Sequence, residues 1–485
     1  LVEPVQSSVL ALVIILVACV DLCGAVAVVD VYRLVQYDLS GVPFGSRLAG
    51  LNHHAGSSFL CSSAAAADLS RTVLILPVRE LNLTFIAEFI EQKRPLGGLL
   101  LLLPQVFNPQ NIDIVVGSDR DSAEEDAAAA AAIRNLLIQL ENLLIHSTVS
   151  YPVYFGFEDE HVTAVLHDVT KADASGQLAT ATTGGYKLVV ASPEAKKVVS
   201  PPIINIQGWL PGSKSDGDSN QLPTIAIVAS YDTFGAAPAL SVGTDSNGSG
   251  VAALLEIARL FSILYSSPKT RGRYNLLFAL TSGGPYNYNG THKWLRGLDQ
   301  RLRENIDYAI CLNSIGSDGA NKIWIHVSKP PENVYIKQMF EGFSSVLREL
   351  GVEVVLKQKK INISNPRVAW EHEQFSRSRI TAATVSGLSD APDFLERTGG
   401  LSDSRHAVDE NSLIRTIKLV AESLARQIYG LEGKGIDVFA DDSSLSVNVF
   451  HVRSWLKYLS ATPRVAPFLA KDDPLITALK KVRVI

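Results

Sequence analysis

The chain has 485 residues, 47% of them hydrophobic and 19% charged, with a formal net charge of −5 at pH 7. That length predicts two or three domains, and the apolar fraction is enough for a large core, which excludes disordered, collagen-like and coiled-coil classes. The small negative charge also excludes a nucleic-acid binder acting through a broad basic face, since phosphate neutralisation needs clustered cations. The densest basic runs, Lys357-Gln-Lys-Lys360 and Lys480-Lys-Val-Arg483, read as a solvated face and a tail.

The chain opens on Leu1 and holds a single methionine, Met339, so a trimmed piece of a longer protein is expected. Val9–Val20 is an apolar run followed by Asp21 and Ala25-Val-Ala27. It has the length of a secretory h-region with an A-x-A-like cleavage site and is short for a membrane span. Residues 1–27 are therefore assigned as a signal peptide or N-terminal hydrophobic segment; a buried core helix is the alternative reading. Four sequons, at Asn82, Asn247, Asn289 and Asn362, fit a lumenal location. Cys19 and Cys23 lie in the leader, and the remaining Cys61 and Cys311 are too far apart in sequence for a zinc ribbon or a CxxC centre; whether they pair stays open.

From Val31 onward, strand-like and helix-like segments alternate. Thr72–Pro77 and Leu99–Leu103 are short apolar runs that suit strands buried on both faces. Ser122-Ala-Glu-Glu125 has the pattern of a capping box opening a helix to about His146, with Leu136, Leu140 and Leu144 on one stripe. A polar loop over Gly212–Asn220 separates this part from a strand at Thr224–Ala229, a helix over Gly250–Tyr265 and a strand at Asn275–Leu280. A helix near Thr291–Leu295 and strands at Tyr308–Leu312 and Ile323–Val327 follow. A helix over Asn333–Leu350, a strand at Val352–Leu356 and a helix over Asp409–Tyr429 complete the alternation. The expected fold class is α/β, a mostly parallel sheet sandwiched by helices. Catalytic groups in such sheets belong at the carboxyl ends of strands, where Ser230, Ser282 and Asn313 fall. The division expected is 28–212 as an N-terminal α/β part, 213–430 as the core, and 431–485 as a polar C-terminal tail with helical periodicity around Val449–Leu459. No segment after the leader reads as a membrane span.

Ala229-Ser-Tyr-Asp-Thr233 followed by Gly243-Thr-Asp-Ser-Asn-Gly-Ser-Gly-Val-Ala-Ala-Leu-Leu-Glu-Ile-Ala-Arg259 resembles the core signature of the M28 peptidase family. The resemblance implies a zinc-aminopeptidase-like fold. The family's chemistry uses two zinc ions that share a bridging carboxylate, with a Glu acting as general base on metal-bound water. Mapped residue by residue, the first His ligand position holds Ser230, and Asp232 follows it. The bridging position holds Asp245. The Glu-Glu pair, base then ligand, falls on Gly284 and Pro285. The third carboxylate position holds Asn313, and the last His is His406 in Ser404-Arg-His-Ala-Val-Asp409, one residue off the family spacing. One or two of five ligands remain, and neither Gly284 nor Pro285 has a group that takes a proton from water. A non-catalytic protein with no cofactor is expected. An active or single-metal aminopeptidase of the secretory pathway, using Asp245, His406 and Asp232, is the alternative.

Other arrangements carry less. His372-Glu373 starts like HExxH, but Ser376 stands at the second His, so Glu371-His-Glu373 reads as a surface cluster; His53-His54 reads as a loop. No G-x-S-x-G elbow occurs. Gly243–Gly250 suits anion binding at a helix N-terminus but holds Asp245 and lacks a P-loop Lys.

Val31–Gly41, Tyr151-Pro-Val-Tyr-Phe155, His326–Asn333 and Trp370-Glu-His-Glu373 are similar to blocks of the nicalin family, inactive relatives within the nicastrin group of the M28 fold. That resemblance implies an endoplasmic-reticulum membrane protein with its bulk in the lumen and a C-terminal membrane helix, which this sequence does not contain before Ile485. It also implies assembly with nodal modulator and a small polytopic membrane protein, in a complex that joins the translocon during insertion of multipass membrane proteins. No direct nucleic-acid contact is implied.

Overall fold

The computed structural model describes residues 28–482 except 39–42, 61–67, 92–93, 112–122, 177–184, 192–197, 199–201, 215–220, 318–321, 331, 393–399 and 432–436. The leader, Cys61 and the expected capping residue Ser122 therefore lie outside the described residues.

The first half carries strands β1 (Tyr32–Arg33), β2 (Tyr37–Asp38), β3 (Pro43–Ser46), β4 (Leu51–Gly56), β5 (Leu69–Pro77), β6 (Leu96–Leu103), β7 (Thr148–Val149), β8 (Val153–Phe157) and β9 (Lys187–Val190). Six of them form a sheet in the order β1-β8-β6-β5-β4-β9, parallel inside and antiparallel at both edges. Because successive side chains of a strand point to opposite faces, the leucine run is buried twice over. Leu74, Leu76, Leu99 and Leu101 face helices Leu83–Glu91 and Ala123–Ile145, whereas Val73, Ile75, Leu100 and Leu102 face helix Glu160–Ala174. On helix Ala123–Ile145 the fully buried stripe is Leu137, Leu140 and Leu144, with Leu136 at its margin. His53 and His54, expected in a loop, lie on β4, where His54 pairs with Thr72.

The second sheet is built from β10 (Ile206–Leu210), β11 (Thr224–Ser230), β12 (Asn275–Thr281), β13 (Ile306–Leu312), β14 (Lys322–Val327), β15 (Glu353–Gln358) and β16 (Thr381–Ser386). Its order is β10-β12-β11-β13-β16-β14-β15, with antiparallel pairs at β10–β12 and β14–β16 and parallel pairs elsewhere. β10 lies before residue 212 and yet pairs with β12, so the core sheet recruits a strand from the stretch expected in the N-terminal part. Ile225, Ile227 and Ala229 pack under helices Gly250–Ser266 and Glu410–Tyr429, and Ala226 and Val228 pack against Trp294, Leu295 and Phe375 on the other face. Together with its preceding turn, helix Thr244–Ser266 is long and apolar enough for a membrane span, but it is 89% buried inside the protein, as a core helix.

The described residues 437–482 are not the expected polar tail. Helices Val449–Ala461 and Pro474–Lys481 turn Val452, Leu456, Leu459, Leu475, Ile476 and Leu479 into the main core, an amphipathic stripe that average polarity conceals. Cys311 is a free thiol buried in β13.

The Glu371-His-Glu373 cluster is the clearest reversal of a sequence expectation, because all three side chains are buried. Glu371 Oε1 accepts from Thr281 Oγ1 at 2.7 Å and Thr291 Oγ1 at 2.6 Å, and His372 Nδ1 shares a 2.9 Å hydrogen bond with Thr384 Oγ1. Short helix His372–Arg377 lies on β16, and polar side chains supplied by β12, helix Asn289–Gly297 and β16 satisfy Glu371 and His372. Burial pushes the Glu371 carboxyl up to about 7 and the His372 imidazole down to about 3, so both are held toward their neutral forms. A carboxyl with a raised folded value stabilises the fold most below its unfolded value near 4.5, and that contribution is lost as pH rises through about 7. Glu371→Gln, which cannot ionise, is expected to gain about 1–3 kcal/mol relative to the wild type between pH 5 and pH 8. Denaturant unfolding of both proteins at the two pH values checks this, and parallel pH profiles would refute it.

Candidate functional site

The site lies at the carboxyl ends of β11, β12 and β13, where the α/β rule puts it. Ser230 closes β11, and its Oγ donates to Asp232 Oδ1 at 3.2 Å. Asp232 has no exposed surface. Its carboxylate also accepts from Ser282 Oγ at 3.0 Å, from Gly284 N at 3.0 Å and from Gly283 N. Burial raises the Asp232 carboxyl above its ordinary range, and the four donors pull it back.

Gly284, which the sequence maps to the general-base position, has no room for a side chain while Ser230 keeps its place. A Cβ there would stand 2.0 Å from Ser230 Oγ and 2.8 Å from Ser230 Cβ. Ser230 and Gly284 thus fill one another's space, and Pro285 beside them offers no donor atom. At the end of β13, Asn313 accepts from Ser314 Oγ at 3.2 Å, and its backbone N–H donates to Val385 O.

Asp245 sits in a turn of π-helix, Thr244–Ser249, that runs into helix Gly250–Ser266. Its Oδ1 accepts from Gly316 N at 2.9 Å. Burial first, and the neighbouring Asp403 second, push its carboxyl up to about 7. Asp403, which sequence reasoning missed, accepts from the backbone N–H groups of Asp245 at 2.7 Å and Ser246 at 3.1 Å, so the helix N-terminus already has its anion. His406 lies in the 3-10 turn Arg405–Ala407, which packs on the π-turn. Burial and the guanidinium groups of Arg405 and Arg134 lower its pKa, and Arg134 Nη2 donates to its carbonyl at 3.0 Å.

Two further side chains escaped the sequence reading. Glu141, on helix Ala123–Ile145, crosses to the core and accepts from Ala236 N at 2.7 Å and Leu401 N at 2.8 Å; burial raises its carboxyl to about 7. Arg464, after helix Val449–Ala461, is fully buried and donates to the carbonyls of Tyr231 and Gly243 at 3.0 and 2.8 Å. The break in the apolar stripe at Glu141 is the one signal that the sequence holds for either.

These residues do not fit a two-zinc centre. Ser230, Gly284, Pro285 and Asn313 bring no metal-binding imidazole or carboxylate, Asp245 is engaged by Gly316, and His406 stands beside two guanidiniums that would repel a dication. Among the described residues no three His, Cys, Asp or Glu side chains converge as an ion-holding group.

A family model described as the nicastrin large lobe matches residues 223–382. The crystal structure of the gamma-secretase component nicastrin superposes with a TM-score of 0.58 at 12% identity, over 89% of this chain and 77% of that one, a likeness of fold alone. Fold and family model therefore define a nicastrin-like α/β protein. Among curated sequences, "BOS complex subunit ncln" of Danio rerio is 34% identical over 487 residues, covering 93% of this chain and 78% of that protein. "BOS complex subunit NCLN" of Homo sapiens is 32% identical over 474 residues, at 93% and 77% coverage, and "Nicalin" of Caenorhabditis elegans is 31% identical over 430 residues, at 83% and 69%. The chain belongs to the nicalin family.

Returning a carboxylate to the base position should fail. Gly284→Glu must displace Ser230 from Asp232, at a cost of about 1–3 kcal/mol for the overpacking. We expect a lower melting temperature and no zinc-dependent hydrolysis of an aminoacyl nitroanilide; turnover above the wild-type background would count against this reading.

Proposed function

We propose that this chain is a non-catalytic subunit of an endoplasmic-reticulum membrane complex, with its folded part in the lumen. In this reading it works beside nodal modulator and a small polytopic membrane protein, assisting insertion of multipass membrane proteins at the translocon. The observation that carries the non-catalytic part is the mutual filling of Ser230 and Gly284: the base position has no room for a side chain. The relatives named as subunits of the BOS complex support the assembly part. The test is purification of the tagged full-length protein from membranes in mild detergent, followed by blotting for nodal modulator. Recovery of that partner, unchanged by chelator, is expected; a chain recovered without it, or one that hydrolyses peptides when zinc is supplied, refutes the proposal.

The sequons divide on burial. Asn82, Asn289 and Asn362 are exposed, and Asn82 and Asn362 use only Oδ1 locally, accepting from Thr84 N and Ser364 N. Asn247 is instead buried in the π-turn and accepts from Ser246 Oγ at 2.8 Å, which argues against a glycan there. We propose that Asn82, Asn289 and Asn362 are the glycan acceptors. Single Asn→Gln variants at these three positions should each remove one endoglycosidase-sensitive gel shift, and Asn247→Gln should remove none.

A further inference from the structure

The two metal ions of the peptidase centre do not fit, yet the chain supplies a buried cation, whose guanidinium bonds to backbone carbonyls next to Asp232 and in the loop that leads to Asp245. Arg464 has no exposed surface. Its Nη1 donates to Tyr231 O at 3.0 Å, and its Nη2 donates to Gly243 O at 2.8 Å and to Val242 O. Its own backbone is fixed as well: Arg464 N donates to Ser241 O at 3.1 Å, Thr233 N donates to Arg464 O at 2.9 Å, and Thr233 bridges to Val465. The guanidinium is thus wedged between the loop that holds Asp232 and the loop that leads to Asp245. A Cβ at Gly248, on the π-turn, would lie 3.4 Å from Nη2. Burial pulls the guanidinium down to about 10, and the fields of Asp403 and Asp232 oppose that fall.

Buried charges persist only when paired or richly hydrogen-bonded. Asp232 and Asp403 use their oxygens on N–H and O–H donors, and neither has a salt-bridge partner among the described residues. We propose that Arg464 is the internal counter-cation of this site. It supplies the positive charge that metal ions supply in the peptidase centre, and it makes folding of the core independent of metal. The guanidinium also opposes entry of a dication, since an ion between Asp232 and Asp403 would meet a fixed positive charge. This assignment is independent of the proposed complex and would stand if the partner reading failed.

The full-length protein, purified through chelator, tests it by thermal unfolding. Arg464→Lys keeps the charge and Arg464→Gln removes it, so the Gln variant is expected to lose the more, with a fall in Tm of about 5 °C or greater. Asp403→Asn in the Gln background should cost less than in the wild type, because the charge that Arg464 balanced is then gone. A Gln variant as stable as the Lys variant, or equal costs of Asp403→Asn in both backgrounds, overturns the assignment and leaves Arg464 as a hydrogen-bonding bolt. Should the Gln variant not fold, the wild type alone still decides. Its Tm is expected to be the same with and without added zinc, and a zinc-dependent rise overturns the counter-cation role.

Discussion

The arrangement of this core depends on one buried carboxylate. Asp232 lies below the ends of β11 and β12 with four donors around it, and two of those are backbone N–H groups of consecutive residues, Gly283 and Gly284. To aim both at one anion the chain leaving β12 must turn sharply, and Gly283 does so in the left-handed region at φ 75°. That turn carries Gly284 against Ser230, so a small residue at one position and no side chain at the other become a single requirement. A larger side chain at either position would need that same volume. Exchange of either residue alone therefore gives a clash before it gives chemistry.

The same principle, a carboxylate from a distant segment satisfying backbone N–H groups, recurs at two more places. Asp403 anchors the start of the central helix, and Glu141 ties the two sheets together by reaching from the first half to Ala236 and Leu401. Hydrogen bonds of this kind are stronger than neutral ones, and inside a protein an unsatisfied N–H is costly, so each contact fixes a loop. Phe234, Ala236, Ala237, Leu240 and Leu401 then add apolar area to the core of the first sheet. Loops of the core domain thus complete the packing of its neighbour.

What could be read from the sequence follows from which interactions are local. The runs Thr224–Ala229 and Asn275–Leu280 are apolar, short and bounded by polar turns, and both become strands within a residue or two of the expected ends. Asp409 was taken as the first residue of a helix and is its N-cap, accepting from Ser412 N, the usual margin at a helix end. The mapping of Ser230, Gly284, Pro285 and Asn313 onto ligand and base positions rests on their offsets from the Gly243–Arg259 signature, which are local in sequence. The buried state of Glu371, His372 and Glu373 was not legible. Thr281 and Thr291, the partners of Glu371, and Thr384, the partner of His372, are scattered over about a hundred residues, and nothing adjacent in the chain marks a carboxyl that hydroxyls from other elements will satisfy. Arg464 was hidden for the same reason: a guanidinium that bonds only to carbonyls more than two hundred residues away looks, in sequence, like any surface arginine.

The peptidase-like signature has structural work that needs no metal. Gly250 opens the central helix directly against β13, and a Cβ there would lie 2.5 Å from Leu312 O. Ser249 Oγ donates to Asp245 O at 2.6 Å and accepts from Ile315 N at 3.1 Å, and Asp245 Oδ1 accepts from Gly316 N. Three residues of the signature thus stitch the helix start to the chain leaving β13, which is the segment that carries Asn313. Any protein that keeps this helix in this place keeps most of those demands, whatever becomes of the ligands on the facing loops. Asp245 is therefore weak evidence for retained metal chemistry, because its place is explained by the packing of the helix start alone.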